Sequence, residues 1–292
     1  MLARLAMLAL LFIAMMPPAA SAAELTIGLI PEQNVFLQMK RYEPIGDYIR
    51  EQTGMSVRFT ILSGYGNIID NFTTEKMDGA FWGSFTGALA IQNLGIEPIV
   101  RPLWLDGSST YHGFVFTRKD SGITSVEDMK GKTIAFVDRA TTAGYVFPMA
   151  YFREHGVTDP DTYFKEYYFA GSHDATITAV LHVEVDIGCA KNTIFNLVAA
   201  KTPSIEKELV ILTESSKVPS NALGMRTDLD PVIKSKLTDA LLRMHQSPAG
   251  RQALAKFGAI RFIRTAKADY TPVFDLAKRA GINLKEYQYV NE

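Results

Sequence analysis

Cysteine is nearly missing from this 292-residue chain, in which Cys189 is the only one. No disulfide can close within it, so stability must come from a hydrophobic core, which a chain of this length can bury. Basic runs are absent as well. The 30 Lys and Arg, 29 once Arg4 is set aside, face 31 Asp and Glu, a net charge of about −2 for the trimmed chain. Nucleic-acid partners are disfavoured, because phosphate-backbone binding needs a clustered positive face. Beyond residue 22 no long apolar run occurs, so stable membrane insertion is not expected. The five His residues (112, 155, 173, 182 and 245) lack H-E-x-x-H spacing, there is no G-x-S-x-G, and Cys189 has no evident base beside it. His173 and Asp174 adjoin in sequence, which is not how a base and its orienting carboxylate usually meet. No catalytic residue, metal or cofactor is expected, and an enzyme is a remote reading.

What is present begins with "MLARLAMLALLFIAMMPPAASA", which has a cation at Arg4, a short apolar run from Leu5 to Met16, a Pro17-Pro18 break and then Ala20-Ser21-Ala22. These features read as a secretory signal peptide over residues 1–22. The mature chain is then a soluble periplasmic protein, expected as a monomer. No Cys follows the expected cleavage site to accept a lipid.

Short apolar strands then alternate with amphipathic helices. "ELTIGLIP" reads as a buried strand and "YEPIGDYIREQTG" as a helix with Pro44 in its first turn and Gly54 at its end. "SVRFTIL" and "MDGAFWG" are strands flanking a loop and helix in "SGYGNIIDNFTTEK". The order βαβαβ implies a parallel sheet covered on both faces. A similar unit follows, with strands in "KTIAFVD", "YFKEYYFA" and "VDIGC" and helices between and after them. Two extended stretches, "YHGFVFTRKDSG" and "ELVILTESSKVPSNALGMRTD", suit crossings between two lobes. The division expected is 23–117 plus 219–292 for lobe 1 and 118–218 for lobe 2.

Three strand-to-helix loops stand out: "SGYGN" (63–67), "RATTAG" (139–144) and "AGSHDA" (170–175). Each can offer free backbone N–H groups at a helix N-terminus, where anions bind. Ordinary capping explains any one of them, but three at matching sheet edges favour an anion site. Pro148 suits a first turn if its helix starts near Tyr145.

The ordered set "GYGNIIDNFTTEKMDGAFWG", "TTAGYVFP", "AGSHDATITAV" and "KVPSNALGMRTDL" resembles the phosphonate-binding periplasmic proteins, which capture phosphate, phosphite or phosphonate for ABC importers. The similarity runs over nearly the whole mature chain. It implies a two-lobed α/β fold of the type II periplasmic binding-protein kind, closing on a small phosphorus oxyanion in the interlobe cleft, and a membrane permease as partner. Carried over residue by residue, it implies ligand contacts from Tyr65, Tyr111, Thr141, Thr142, Ala143, His173 and Asn221. A stand-alone sensor feeding a membrane signalling protein is the alternative.

The chain also departs from that family's pattern. Ala143 replaces a usual Ser, and Val183 a usual Gly. Asn221 stands where aminophosphonate binders carry an acid, and Lys191-Asn192 lies in the stretch that supplies another. An ammonium-bearing ligand then lacks its partner, and Lys191 repels it unless its side chain turns to solvent. Micromolar affinity needs about 8 kcal/mol. Hydrogen bonds to charged groups contribute roughly 1.5–3 kcal/mol each. Several neutral donors therefore suffice without a buried cation.

Overall fold

A computed structural model describes residues 23–62 and 64–289; the expected signal peptide lies outside them. The described residues form thirteen strands: β1 (Glu24–Leu29), β2 (Ser56–Ile61), β3 (Gly79–Trp82), β4 (Glu97–Trp104), β5 (Thr110–Tyr111), β6 (Gly113–Arg118), β7 (Thr133–Phe136), β8 (Glu166–Phe169), β9 (Ile187–Lys191), β10 (Leu209–Glu214), β11 (Val218–Pro219), β12 (Ala222–Met225) and β13 (Ala259–Arg264). One sheet runs β13-β4-β12-β3-β1-β2 and the other β10-β6-β9-β7-β8. In the first, β1 lies parallel between β2 and β3, as the βαβαβ order requires. The remaining pairs, β12 with β3 and β4 and β13 with β4, are antiparallel, so the sheet is mixed rather than parallel throughout. In the second, β7 is parallel to β8 and β9, while β6 and β10 extend the sheet beyond β9 as antiparallel strands. The short pair β5 with β11 carries both crossings side by side.

Sheet membership shifts the division expected from the sequence. Gly113–Arg118 pairs with β9 and β10, so the first change of sheet comes at His112 rather than between residues 117 and 118. An extended run of Phe, Val and Thr looks alike on either side of a crossing, and only its pairing partners assign it. The C-terminal end also departs from lobe 1. Arg279 pairs with Glu154, and the Tyr287 hydroxyl donates to the Arg139 carbonyl at 3.0 Å while its ring meets Phe85 edge-on.

The helix Val35–Thr53 begins well before the expected start and puts Pro44 in its interior. Asn34 caps it, accepting from the N–H groups of Phe36 and Leu37 at 3.1 and 3.3 Å. Its first turn was hidden because Val35, Phe36 and Leu37 are exposed, which erases the apolar period. Its end at Gly54, with φ 73°, agrees with the sequence.

Pro148 lies in the first turn of its α-helix, as expected, although that helix begins at Phe147 rather than near Tyr145. The helical path starts at Thr142 as a π-turn over Thr142–Val146 and becomes α-helical at Phe147–Glu154. In an α-helix the N–H missing from Pro148 would have served the Gly144 carbonyl. That carbonyl accepts from Val137 N–H at 3.2 Å instead. The substitution ties the π-turn to the end of β7 and turns its N-terminus toward the sheet edge.

Trp82, Phe85, Phe136, Val146 and Phe152 belong to one buried cluster that joins both sheets beneath this edge. At the far end of the second sheet, Val183 sits at φ 62° just past the helix His173–Leu181. Glu184 N–H bonds the Ala179 carbonyl and Val183 N–H that of Val180, a Schellman ending whose left-handed position favours Gly. A β-branched residue there is strained by roughly 1–2 kcal/mol. Val183→Gly should therefore raise stability in urea unfolding by about 0.5–1 kcal/mol, after the greater unfolded-state entropy of Gly is subtracted. A loss of stability would show that Val183 makes contacts outweighing its strain.

Candidate functional site

The carboxyl ends of the parallel strands meet across the two sheets, and the residues just beyond them enclose a small polar cavity of about 10 Å³. All seven residues inferred from the sequence line it: Tyr65 beyond β2, Thr141, Thr142 and Ala143 beyond β7, His173 beyond β8, and Tyr111 and Asn221 at the crossings. Glu32, beyond β1, and Ser84 and Phe85, beyond β3, also line it and are not among those seven. The signal for Ser84 was available, since Gly83-Ser84 opens an apolar helix, Ser84–Asn93.

Direct contacts pin the sheets together here. Phe85 N–H donates to Thr142 Oγ1 at 2.9 Å, and Tyr65 N–H donates to Asp138 Oδ2 at 3.2 Å. Asp138 also accepts from Ala140 N–H at 2.7 Å, which sets the turn leading to the threonines. The Thr141 hydroxyl donates to the Asp138 carbonyl at 2.6 Å, so its role is to hold that turn. Thr142 accepts through its oxygen and also bonds Tyr111. Ser84 Oγ donates to the Pro219 carbonyl at 2.5 Å and lies 2.9 Å from the Tyr111 hydroxyl.

His173 is held by the backbone rather than by a carboxylate. Lys191 N–H donates to its Nδ1 at 3.2 Å, which leaves the proton of the neutral ring on Nε2. Burial lowers its pKa to about 3, a displacement that the Glu32 charge reduces and the Lys191 charge adds to. Burial also raises the phenols, Tyr65 well above its ordinary value and Tyr111 to about 12. Every titratable ring in the cavity is therefore neutral near pH 7 and able to donate a proton in a hydrogen bond. Among the described residues, the Tyr65 hydroxyl and Asn221 Nδ2 are buried atoms without a partner. Unpaired buried donors cost roughly 1–3 kcal/mol each, and a bound acceptor relieves that cost.

One full charge pair crosses the cavity. Lys191 Nζ lies 2.7 Å from Glu32 Oε1 and 3.0 Å from Asn221 Oδ1, with the Tyr111 ring 4.5 Å away. Burial pushes the Glu32 carboxyl up, and the Lys191 ammonium beside it outweighs that and keeps it below the usual carboxylate value. Lys191 does not turn to solvent, and it is as buried as His173, each 3% exposed.

Two sheets joined by paired crossings, with a donor-lined cavity at the facing strand ends, define a two-lobed α/β binding-protein fold. Residues 27–270 match the family described as "ABC transporter, phosphonate, periplasmic substrate-binding protein", and the chain belongs to it. It is 25% identical over 260 residues to the phosphonates-binding periplasmic protein of Escherichia coli K12, covering 87% of this chain and 75% of that one. It is 24% identical over 234 residues to the phosphate-import protein PhnD of Mycolicibacterium smegmatis, covering 75% and 73%. Among solved structures, a binding component of a phosphonate ABC transporter from Pseudomonas aeruginosa superposes with a TM-score of 0.82 at 24% identity, covering 89% of this chain and 87% of that one. PhnD1 of Prochlorococcus marinus, in complex with methylphosphonate, gives 0.78 at 20% identity, with 88% and 98% covered.

The depressed pKa of His173 has a measurable sign. Between pH 6.5 and about 3 the unfolded chain takes up a proton that the folded chain refuses, so stability falls as pH falls through this window. From pH 6.5 to 5.5 one such group accounts for about 1 kcal/mol. Urea unfolding at both values should show that loss in the wild type and less of it in His173→Gln. An identical loss in both proteins would show that folding does not depress the pKa of His173.

Proposed function

We propose that this protein is a periplasmic solute receptor that captures a small phosphorus oxyanion, phosphate, phosphite or a short phosphonate, and delivers it to the membrane permease of an ABC importer. It acts as an exported monomer after removal of residues 1–22. The observation that carries this reading is the pair of orphaned buried donors, Tyr65 OH and Asn221 Nδ2, in a cavity also lined by the Thr142 hydroxyl and the neutral His173 ring. A tetrahedral oxyanion presents acceptors in several directions and satisfies donors converging from two sheets. The names of the relatives, one a phosphonate binder and one a phosphate importer, support this class of ligand.

The low basicity of His173 supports a hydrogen-bond donor over a general base, because a group with pKa near 3 takes up a proton poorly at pH 7. Capture followed by release is the reading that this arrangement supports.

Calorimetry of the folded protein with phosphate, phosphite and methylphosphonate should detect binding of at least one. Heat from none of the three would refute the function. Thr142→Val should weaken the bound anion by about 1–3 kcal/mol, since both the ligand contact and the Phe85 N–H lose their oxygen partner. Unchanged affinity would leave Thr142 as a contact between sheets and nothing more.

A further inference from the structure

Beside the polar cavity lies a larger groove of about 460 Å³, open to solvent and lined by apolar and cationic side chains, among them Leu37, Trp104, Arg41 and Lys256. Two residues line both spaces: Glu32 and Lys191. Their ion pair is the wall between them. The ammonium is held by Glu32 Oε1 on one side and Asn221 Oδ1 on another, with the Tyr111 ring beneath it. Both side chains are nearly buried, at 4% and 10% exposure.

We propose that the Lys191–Glu32 pair is a built-in plug that closes the oxyanion cavity against the groove and selects against anions whose substituent must pass into that groove. This rests on the function proposed above. A phosphonate with a long substituent must send it past the plug, because Glu32 and Lys191 separate the cavity from the adjoining groove. Displacing the plug separates a buried ion pair, which is strongly unfavourable when one charge is left without its partner. The plug also occupies, with the protein's own ammonium, the place beside Glu32 where a ligand ammonium would find its counter-ion. Lys191 is thus a specificity-determining residue, and Glu32 is the latent carboxylate that it masks.

The inference makes a gain-of-function prediction. Calorimetry compares methylphosphonate, butylphosphonate and 2-aminoethylphosphonate. The wild type should bind the two longer compounds at least tenfold more weakly than methylphosphonate. Lys191→Ala unites cavity and groove and frees Glu32, so 2-aminoethylphosphonate should gain at least tenfold over the wild type. The double variant Lys191→Ala with Glu32→Gln should lose that gain while keeping whatever butylphosphonate gained. If Lys191→Ala proves unfolded by circular dichroism, the wild-type series decides alone, and equal affinity for methyl- and butylphosphonate overturns the plug. A folded Lys191→Ala protein with an unchanged ligand profile also overturns it. Wild-type protein that binds no compact anion removes the proposed function and this inference together, whereas tight binding of a compact anion with an unchanged variant profile removes this inference alone.

Discussion

A parallel strand can hand the chain to a covering helix only at its carboxyl end, and most of the polar chemistry in this protein follows from that constraint. β1, β2, β3, β7, β8 and β9 all finish at the edge where the sheets meet, and there they deliver Glu32, Tyr65, Ser84, Thr142, His173 and Lys191. Helix N-termini arrive with them, so backbone donors such as Phe85 N–H converge with the side chains. The apolar cluster below, with Trp82 and Phe85 from one half and Phe136 and Phe152 from the other, fixes the distance across which these groups face one another.

How much of this was legible in the sequence depended on the range of the interactions involved. The three Ser, Thr and Gly loops could be read because a strand, a short polar turn and a helix occupy a few consecutive residues. Their meeting in one cavity was readable only through the strand order and the family resemblance. The start of the helix Val35–Thr53 was obscure because its apolar first turn faces water, and the cap that reveals it is one Asn. The π-turn at Thr142 could not be read, since it depends on Val137 N–H accepting the role that Pro148 vacates. The assignment of β6 failed for a related reason: strand pairing is a long-range fact, and Gly113–Arg118 carries no local mark of which sheet will hold it.

Lys191 is the clearest case of information absent from local sequence. A Lys on a strand end is ordinarily exposed, and burying it becomes tolerable only because Glu32, 159 positions away in sequence, reaches it from the other sheet. Neither residue predicts the other by spacing. The expectation that neutral donors suffice without a buried cation rested on energy alone and said nothing of Lys191, a buried cation already neutralised by its partner.

That neutralisation determines how the cavity discriminates. A free buried cation would attract any anion, whatever its shape, with a strength set by charge. Here the pair contributes little net charge, and the chain as a whole is close to neutral, so no long-range field gathers anions either. What remains is a set of neutral polar groups in fixed directions: the Tyr65 phenol, the His173 Nε2, the Thr142 hydroxyl and the Asn221 amide. Neutral donors reward an acceptor only when its oxygens lie along their bonds, and a mismatched ligand leaves buried donors unpaired. For the anion capture proposed above, selection by direction rather than by charge suits reversible binding, since a small loss of alignment weakens neutral hydrogen bonds without having to separate a ligand from a bare charge.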